Sequence, residues 1–183
     1  TRWINAMEQV MDRGRLQRGR RYARKGQVLS LIEGSGQVIA KVQGSRRTPY
    51  KVTVALTPLT ETDWEKVMEA LAERPYFVAQ LLAGDMPQEI EEAFKAAKLD
   101  LFPSRRELEQ DCNCPDWADV CKHLAAVHYI LAERFDEDPF LLFRLRGKTQ
   151  EELLVSLGTA AADMEETAVS PEYTPPLPLT ENL

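Results

Sequence analysis

The spacing of apolar residues divides the chain into a helical start, a β-rich stretch and a helical remainder. Apolar side chains recur every three or four residues over 3–11, which predicts an amphipathic helix with one buried stripe. Three β-favouring runs follow at 28–32, 38–42 and 50–56, and turns rich in glycine separate them. These runs predict a three-stranded antiparallel meander.

The chain beyond Pro58 is predicted to be mainly helical. Helix formers with apolar positions at helical spacing occur at 62–73, 76–83, 87–98, 124–135 and 140–145. Thr149 and Glu152 have the spacing of a capping box, which predicts the start of a last helix that runs to about residue 162. The acidic, proline-rich residues 163–183 predict a disordered or extended tail.

The charge of the chain is divided between its two ends. Residues 1–51 carry 12 Lys and Arg against 3 Asp and Glu, whereas residues 52–183 carry 11 against 26. Such asymmetry indicates a surface for nucleic acid or for an acidic partner on the basic side. The candidate contacts in this part of the chain are Arg13, Arg15, Arg18, Arg20, Arg21, Arg24, Lys25, Arg46, Arg47 and Lys51.

The basic run over residues 13–25 has two interpretations. Its cations project right around a helix and leave no clean apolar face, so the segment is expected to be exposed or to lie against an anion. The alternative is a charged linker that only adds solubility. The basic 44–51 loop also has two interpretations, a contact loop or a simple turn shaped by Gly44 and Pro49.

Four potential metal ligands lie within twelve residues and include every cysteine of the chain. Cys112, Cys114, Cys121 and His123 have the spacing C-x-C-x6-C-x-H. A strand would aim the first two at one face, and the second pair precedes a helical pattern, so the unit is expected to be strand, knuckle and helix. A Cys3His set suits one tetrahedral Zn²⁺, and because all four positions are then filled the ion is expected to be structural.

Other interpretations of these residues remain open. The cysteines could be free and buried beside a packed histidine, or two could form a disulfide and leave the third unpaired; metal fits the count better. Lys122 is either an electrostatic partner and further nucleic-acid contact or a solvated lysine. His128 is expected to be packed, or to support the ligands, because it lies two helical turns beyond Cys121.

The patterns exclude several classes of protein. No apolar run approaches the roughly 20 residues that span a bilayer, so no membrane association is expected. No signal-peptide pattern opens the chain and thiolate ligands suit a reducing compartment, so a cytoplasmic location is expected. The chain has no P-loop and no catalytic Ser/His/Asp or Cys/His set outside the metal ligands, which predicts neither catalysis nor a small-molecule substrate.

The predicted fold class is α+β: an N-terminal helix, a small antiparallel three-stranded sheet, a helical body and a strand-knuckle-helix zinc finger. The predicted domains are an N-terminal α+β region with the basic arm at 1–106, the finger and its following helix at 107–147, a C-terminal helix at 148–162 and the tail at 163–183.

The ligand spacing resembles the SWIM zinc finger, whose pattern C-x-C-x(n)-C-x-H matches residues 112–123 at each ligand position. Further segments resemble the body of stand-alone bacterial SWIM proteins. These segments are Arg18–Gly26, Val42–Tyr50, Leu81–Pro87, Leu101–Pro103 and Phe135–Phe140. With them, the resemblance covers roughly residues 3–157. Such proteins often accompany Swi/Snf-type helicase-like ATPases. The resemblance implies a small finger that binds DNA or protein and does not imply catalysis.

Two functions are therefore expected in order of preference. The first is a zinc-stabilised, non-enzymatic module that binds nucleic acid, most simply DNA, through its basic N-terminal face. The alternative is a protein adaptor that docks on a helicase-like ATPase or another large nucleic-acid-processing assembly, because the acidic remainder of the chain repels nucleic acid.

Overall fold

A computed structural model describes residues 2–34, 36–116 and 118–167. The described residues form eight α-helices and four strands. The helices are α1 (Arg2–Val10), α2 (Arg13–Arg24), α3 (Glu61–Ala72), α4 (Pro75–Leu82), α5 (Glu91–Ala96), α6 (Lys122–Glu137), α7 (Phe140–Leu145) and α8 (Gln150–Thr167), and the strands are β1 (Val28–Gly34), β2 (Gln37–Val42), β3 (Tyr50–Leu56) and β4 (Leu108–Cys112).

The sheet contains one strand more than the meander that was predicted. Its order is β1-β2-β3-β4 and every pair is antiparallel. The added strand, β4, is the strand of the predicted zinc unit, and it pairs with β3 so that Val52 lies opposite Cys112. The α+β class is therefore confirmed, but the sheet has four strands, because β4 buries its inner side chains by extending the existing sheet rather than by forming a separate unit.

Helix α6 is the central helix of the fold. It contacts all four strands as well as α1, α2 and α7. Leu124, Val127 and Leu131 of this helix are buried, as are Val38 and Val54 on the facing side of the sheet. Because the N-terminal turn of α6 follows Cys121, this packing also determines where the second pair of candidate metal ligands lies.

The basic segment forms a docked helix, so the expectation that it has no apolar face was wrong. Leu16, Gly19 and Ala23 form a narrow buried stripe on α2, which packs against α6. A Cβ atom on Gly19 would lie 2.5 Å from the carbonyl carbon of Ala125, which shows that the two backbones are in direct contact. Two of the three stripe residues are glycine and alanine, and these small residues give only a weak apolar signal in a sequence segment that contains so many arginines.

Several helix boundaries differ from the sequence predictions. Helix α3 begins at Glu61, because Thr60 and Asp63 form its capping box. Helix α5 is confined to Glu91–Ala96, whereas a helix over 87–98 was predicted. The capping box of Thr149 and Glu152 is confirmed, but α8 extends beyond residue 162 to Thr167. The rest of the predicted tail, residues 168–183, lies outside the described residues.

A charged side chain lies in the interior between α7 and the loops that precede β4. Arg146 is 1% exposed, and its guanidinium donates to the carbonyl oxygens of Thr57 and Asp100 at 2.7 and 3.1 Å. It also forms an ion pair of 2.8 Å with Glu107. Burial of a charge is tolerated when its donors find acceptors, so Arg146 holds three separate segments together. None of the described helices is long and apolar enough to cross a membrane.

Candidate metal centre

The first two candidate ligands lie at the end of β4. Cys112 is the last residue of this strand. The next residue, Asn113, continues the pairing, since its backbone N–H donates to Lys51 O at 3.2 Å and its Oδ1 accepts from Lys51 N at 2.9 Å. These bonds hold the backbone in register with β3 until just before Cys114. The side-chain period of an extended chain then places both thiols on one side, as the sequence predicted.

The second pair lies where a loop becomes a helix, which confirms the sequence prediction. Cys121 is the N-cap residue of α6, with extended backbone angles, and its Sγ accepts from the backbone N–H of Leu124 at 3.4 Å. His123 lies in the first turn of the same helix. The change of backbone direction at the cap is what allows two residues that would diverge on a regular helix to face one point.

The four side chains converge on a volume that fits one metal ion. Their donor atoms all lie within 4.8 Å of one another. The Nδ1 atom of His123 is 3.9 Å from Cys112 Sγ and 3.8 Å from Cys121 Sγ. Zinc bonds of about 2.3 Å to sulfur and 2.05 Å to nitrogen at a tetrahedral angle require about 3.6 Å between such atoms. The site therefore has the donor set and the dimensions of a tetrahedral metal centre, and zinc fits both.

The three thiols have different pKa values because of their hydrogen bonds and burial. The hydrogen bond from Cys112 lowers the pKa of Cys121 to about 4, and bonds from His123 and the backbone of Leu124 act in the same direction. The same Cys112–Cys121 bond raises the pKa of Cys112, and burial raises that of Cys114. Cys121 is therefore readily deprotonated, whereas deprotonation of Cys112 and Cys114 requires additional stabilisation. A divalent cation supplies this stabilisation, and its binding releases protons.

Two tyrosine rings enclose the imidazole of His123. Tyr50 of β3 lies 4.6 Å and Tyr22 of α2 lies 5.5 Å from it, measured between ring centroids. The Nε2 atom of His123 is buried and has no hydrogen-bond partner among the described residues, and a Cβ on Gly44 would lie 2.9 Å from it. The imidazole is therefore held on three sides by packing, with Nδ1 directed to the thiols.

A basic side chain lies over the ring of each tyrosine, and the two basic residues come from different parts of the chain. Lys122 Nζ lies 4.9 Å above the ring of Tyr22, and the guanidinium carbon of Arg46 lies 5.3 Å above the ring of Tyr50. A hydrogen bond with Tyr22 raises the pKa of Lys122. The 44–51 loop, α2 and the first turn of α6 therefore meet around His123, although Tyr22 and His123 are 101 positions apart in the chain.

The other predicted contacts divide around α2. Angles around the helix axis are measured here from Gly19, which faces α6. On the side of Tyr22, Arg18 lies at about 100° and Lys25 at about 120°, and Arg21 lies almost opposite Gly19. The other flank carries Arg13, Arg20 and Arg24, at about 100° to 140° in the opposite sense. All six side chains are exposed, as are those of Arg47 and Lys51.

Arg15 differs from its neighbours because it bonds within the protein. Its Nη1 donates to the backbone oxygen of Val120 at 2.9 Å and lies 3.5 Å from a carboxylate oxygen of Asp116. Both partners belong to the loop that joins Cys114 to Cys121, which we call the metal loop (residues 115–120). This contact has no signal in the sequence, since 105 positions separate Arg15 from Val120.

His128 is packed in the interior and lies outside the ligand cluster, as predicted. It is completely buried, its ring stacks on Trp3 with 5.7 Å between centroids, and its Nε2 is 2.9 Å from Gln110 Oε1. Burial lowers its pKa to about 3, so it is neutral. As a neutral donor to Gln110 it links α6 to β4, the two elements that carry the candidate ligands.

Comparison with known proteins finds one relevant relative. The chain is 46% identical over all of its 183 residues to the Uncharacterized protein Rv2102 of Mycobacterium tuberculosis (strain ATCC 25618 / H37Rv), and it spans 66% of the length of that relative. No protein-family model matches the chain, and no solved structure matches it significantly.

Proposed function

We propose that the protein is a zinc-stabilised, non-enzymatic binding module of the SWIM type, which contacts the phosphate backbone of a nucleic acid. The observation that carries the proposal is the convergence of two basic residues, one from α6 and one from the 44–51 loop, on the tyrosines that surround one candidate metal ligand. Lys122 and Arg46 stack on the two tyrosines that enclose His123. The metal centre would hold these elements in place, and the chemistry of binding would belong to the cations around it.

The metal supports this role because all its positions would be filled by the protein. Three thiolates and one imidazole complete a tetrahedral set and leave no place for a reactive water. Zinc in such a site contributes free energy of folding rather than a reaction step. Cys112, Cys114, Cys121 and His123 would therefore anchor the first turn of α6 to the end of β4.

The contact surface that we propose consists of the cations on the metal side of α2 and their neighbours. It comprises Arg18, Arg21, Lys25, Arg46, Arg47 and Lys122. The backbone bond from Gln43 N to Gln27 O, of 2.7 Å, brings the C-terminal end of α2 next to the start of the 44–51 loop. Cations on one continuous surface can contact successive phosphates, whereas the same charges scattered over the molecule cannot.

The test compares two triple variants that remove the same charge. One replaces Arg18, Lys25 and Arg46 by Gln; the other replaces Arg13, Arg20 and Arg24 by Gln and serves as the matched control. Binding to a labelled DNA duplex is measured by fluorescence anisotropy at several salt concentrations. We expect the first variant to bind at least 10-fold more weakly, with a salt slope lower by about 2 to 3, because each phosphate contact contributes about 0.9.

Two outcomes would contradict the proposal. Equal weakening in both variants would mean that net charge, and not a defined surface, attracts the DNA. If the unmodified, zinc-loaded protein failed to bind DNA or RNA, the adaptor function would be favoured, with a helicase-like ATPase or similar assembly as partner. The net charge of the chain, −6 in spite of its basic end, is the observation that favours that second candidate.

A further inference from the structure

One arginine of the basic helix connects both ends of the metal loop to α2. The Nη1 atom of Arg15 reaches Val120, which immediately precedes the ligand Cys121, and Asp116, which lies two residues after the ligand Cys114. One guanidinium thus forms an ion pair near the beginning of the loop between the ligand pairs and a hydrogen bond at its end. We propose that Arg15 is a positioning residue of the metal centre, and that through it metal binding and the seating of α2 are coupled.

The guanidinium is itself held in a defined place. The Arg15 backbone N–H donates to the carboxylate of Asp12, the N-cap of α2, at 3.0 Å. One turn further along, Gly19 brings α2 into backbone contact with Ala125 of α6. Since α6 also carries His123, Arg15 and one metal ligand belong to the same packed pair of helices. The bond to Val120 then fixes the loop relative to that pair.

Charge adds to this geometric effect. A divalent ion with three thiolates and a neutral imidazole has a net charge of about −1. Arg15 places a positive charge beside the loop that joins two of the thiolates, and its side chain is only 29% exposed, so water screens the charge incompletely. Loss of a group that orients metal ligands typically lowers metal affinity by 10- to 100-fold. The expected effect of Arg15 therefore lies in this range.

The coupling operates in both directions. If the seated α2 favours the closed metal loop, then metal binding must favour the seated α2 by the same free energy. The inference rests on the proposed zinc centre but not on nucleic-acid binding. It separates Arg15 from the nucleic-acid contacts and gives it a role in bonding within the protein, while its exposed neighbours on α2 remain available to a partner.

The test measures metal affinity and not DNA binding. The full chain is titrated with Co²⁺, whose thiolate bands report the ligand set, and with Zn²⁺ against a chromophoric chelator. We expect Arg15→Gln to weaken Zn²⁺ binding by 10- to 100-fold, Arg15→Lys to restore part of it, and Arg13→Gln, an exposed neighbour on the same helix, to leave it unchanged.

A second measurement separates positioning from a general structural role. Hydrogen exchange of α2 is compared with and without Zn²⁺; we expect metal-dependent protection of α2 that Arg15→Gln reduces. Absence of Co²⁺–thiolate bands in the unmodified protein would defeat the proposed zinc centre. Normal bands with equal Zn²⁺ affinities for Arg15→Gln and Arg13→Gln would defeat this inference alone. So would an equal loss of stability by Arg15→Gln in the metal-free and metal-bound proteins. If Arg15→Gln does not fold, Arg15→Lys replaces it in the same comparison with Arg13→Gln, because Lys keeps the charge but not the guanidinium geometry; equal Zn²⁺ affinities of these two variants would then defeat the inference.

Discussion

Replacing Gly19 by alanine tests the contact that holds the basic helix in place. A Cβ at this position would lie 2.5 Å from the carbonyl carbon and closer still to the Cβ of Ala125, and 2.7 Å from the nitrogen of Ala126. Ordinary contacts between such atoms are about 3.5 to 4.0 Å. The atoms in the way belong mainly to the backbone of α6, which cannot rotate aside, so α2 and α6 must separate by roughly 1 Å.

Two effects of opposite sign determine the change in stability. Overpacking of a closely packed contact costs about 1 to 3 kcal/mol. Alanine in place of glycine within a helix contributes about 1 kcal/mol of stability in return. The two effects together give an expected loss of unfolding free energy between about 0 and 2 kcal/mol for Gly19→Ala. Because Ala125 follows His123 by two residues, the displacement should also weaken metal binding.

The same substitution at Gly158 is the matched control. Gly158 lies within α8, is exposed, and an added Cβ would meet no atom within 4 Å. Only the helix propensity applies there, so Gly158→Ala should raise the free energy of unfolding by about 0.5 to 1 kcal/mol. Urea denaturation of the zinc-loaded proteins, followed by tryptophan fluorescence, measures both changes. A Gly19→Ala protein stabilised as much as the Gly158→Ala protein would refute the proposed close contact between the two helices, because only the helix propensity would then be acting at both positions.

Three further predictions concern the interior and the metal. Arg146→Met should cost about 3 to 5 kcal/mol because it leaves buried acceptors unpaired. Arg144→Met removes two partly exposed ion pairs, with Glu33 and with Asp138, and should cost less, about 1 kcal/mol. Similar costs in urea denaturation would contradict the distinction. The folded state holds His128 neutral down to pH about 3, while the unfolded chain takes up a proton below its ordinary pKa of 6.5. The free energy of unfolding should therefore fall as the pH drops below 6.5, by about 2 kcal/mol between pH 7 and 5. The His128→Gln variant should lose this part of the pH dependence. A variant with the same pH dependence as the unmodified protein would contradict the assignment to His128. Cys121→Ser, or removal of zinc by a chelator, should abolish the hydrogen-exchange protection of residues 108–147. A Cys121→Ser protein with normal zinc content and an unchanged melting temperature would show that the site is not structural.

The helices and strands were predictable where a local signal was strong. The period of the apolar residues located most of the elements, and the capping box at Thr149 and Glu152 gave the start of α8 correctly. The docked face of α2 was missed because a glycine contributes no hydrophobic signal, although its lack of a side chain is what lets α6 approach. Helix α5 was predicted too long because its boundaries depend on packing against α3 and not on local propensity.

The ligand cluster was determined by the sequence alone. The spacing of three cysteines and one histidine limits how they can be arranged, and the turn and helix-start residues among them are local in effect, so the four donors were predictable without any knowledge of the fold. What surrounds them was decided by tertiary structure. Tyr22 and Tyr50 enclose the imidazole, and Arg15 bonds the metal loop, only because α2 and β3 pack against α6 and β4. Contacts between residues so far apart in the chain depend on the packing of whole elements, and no local pattern records them.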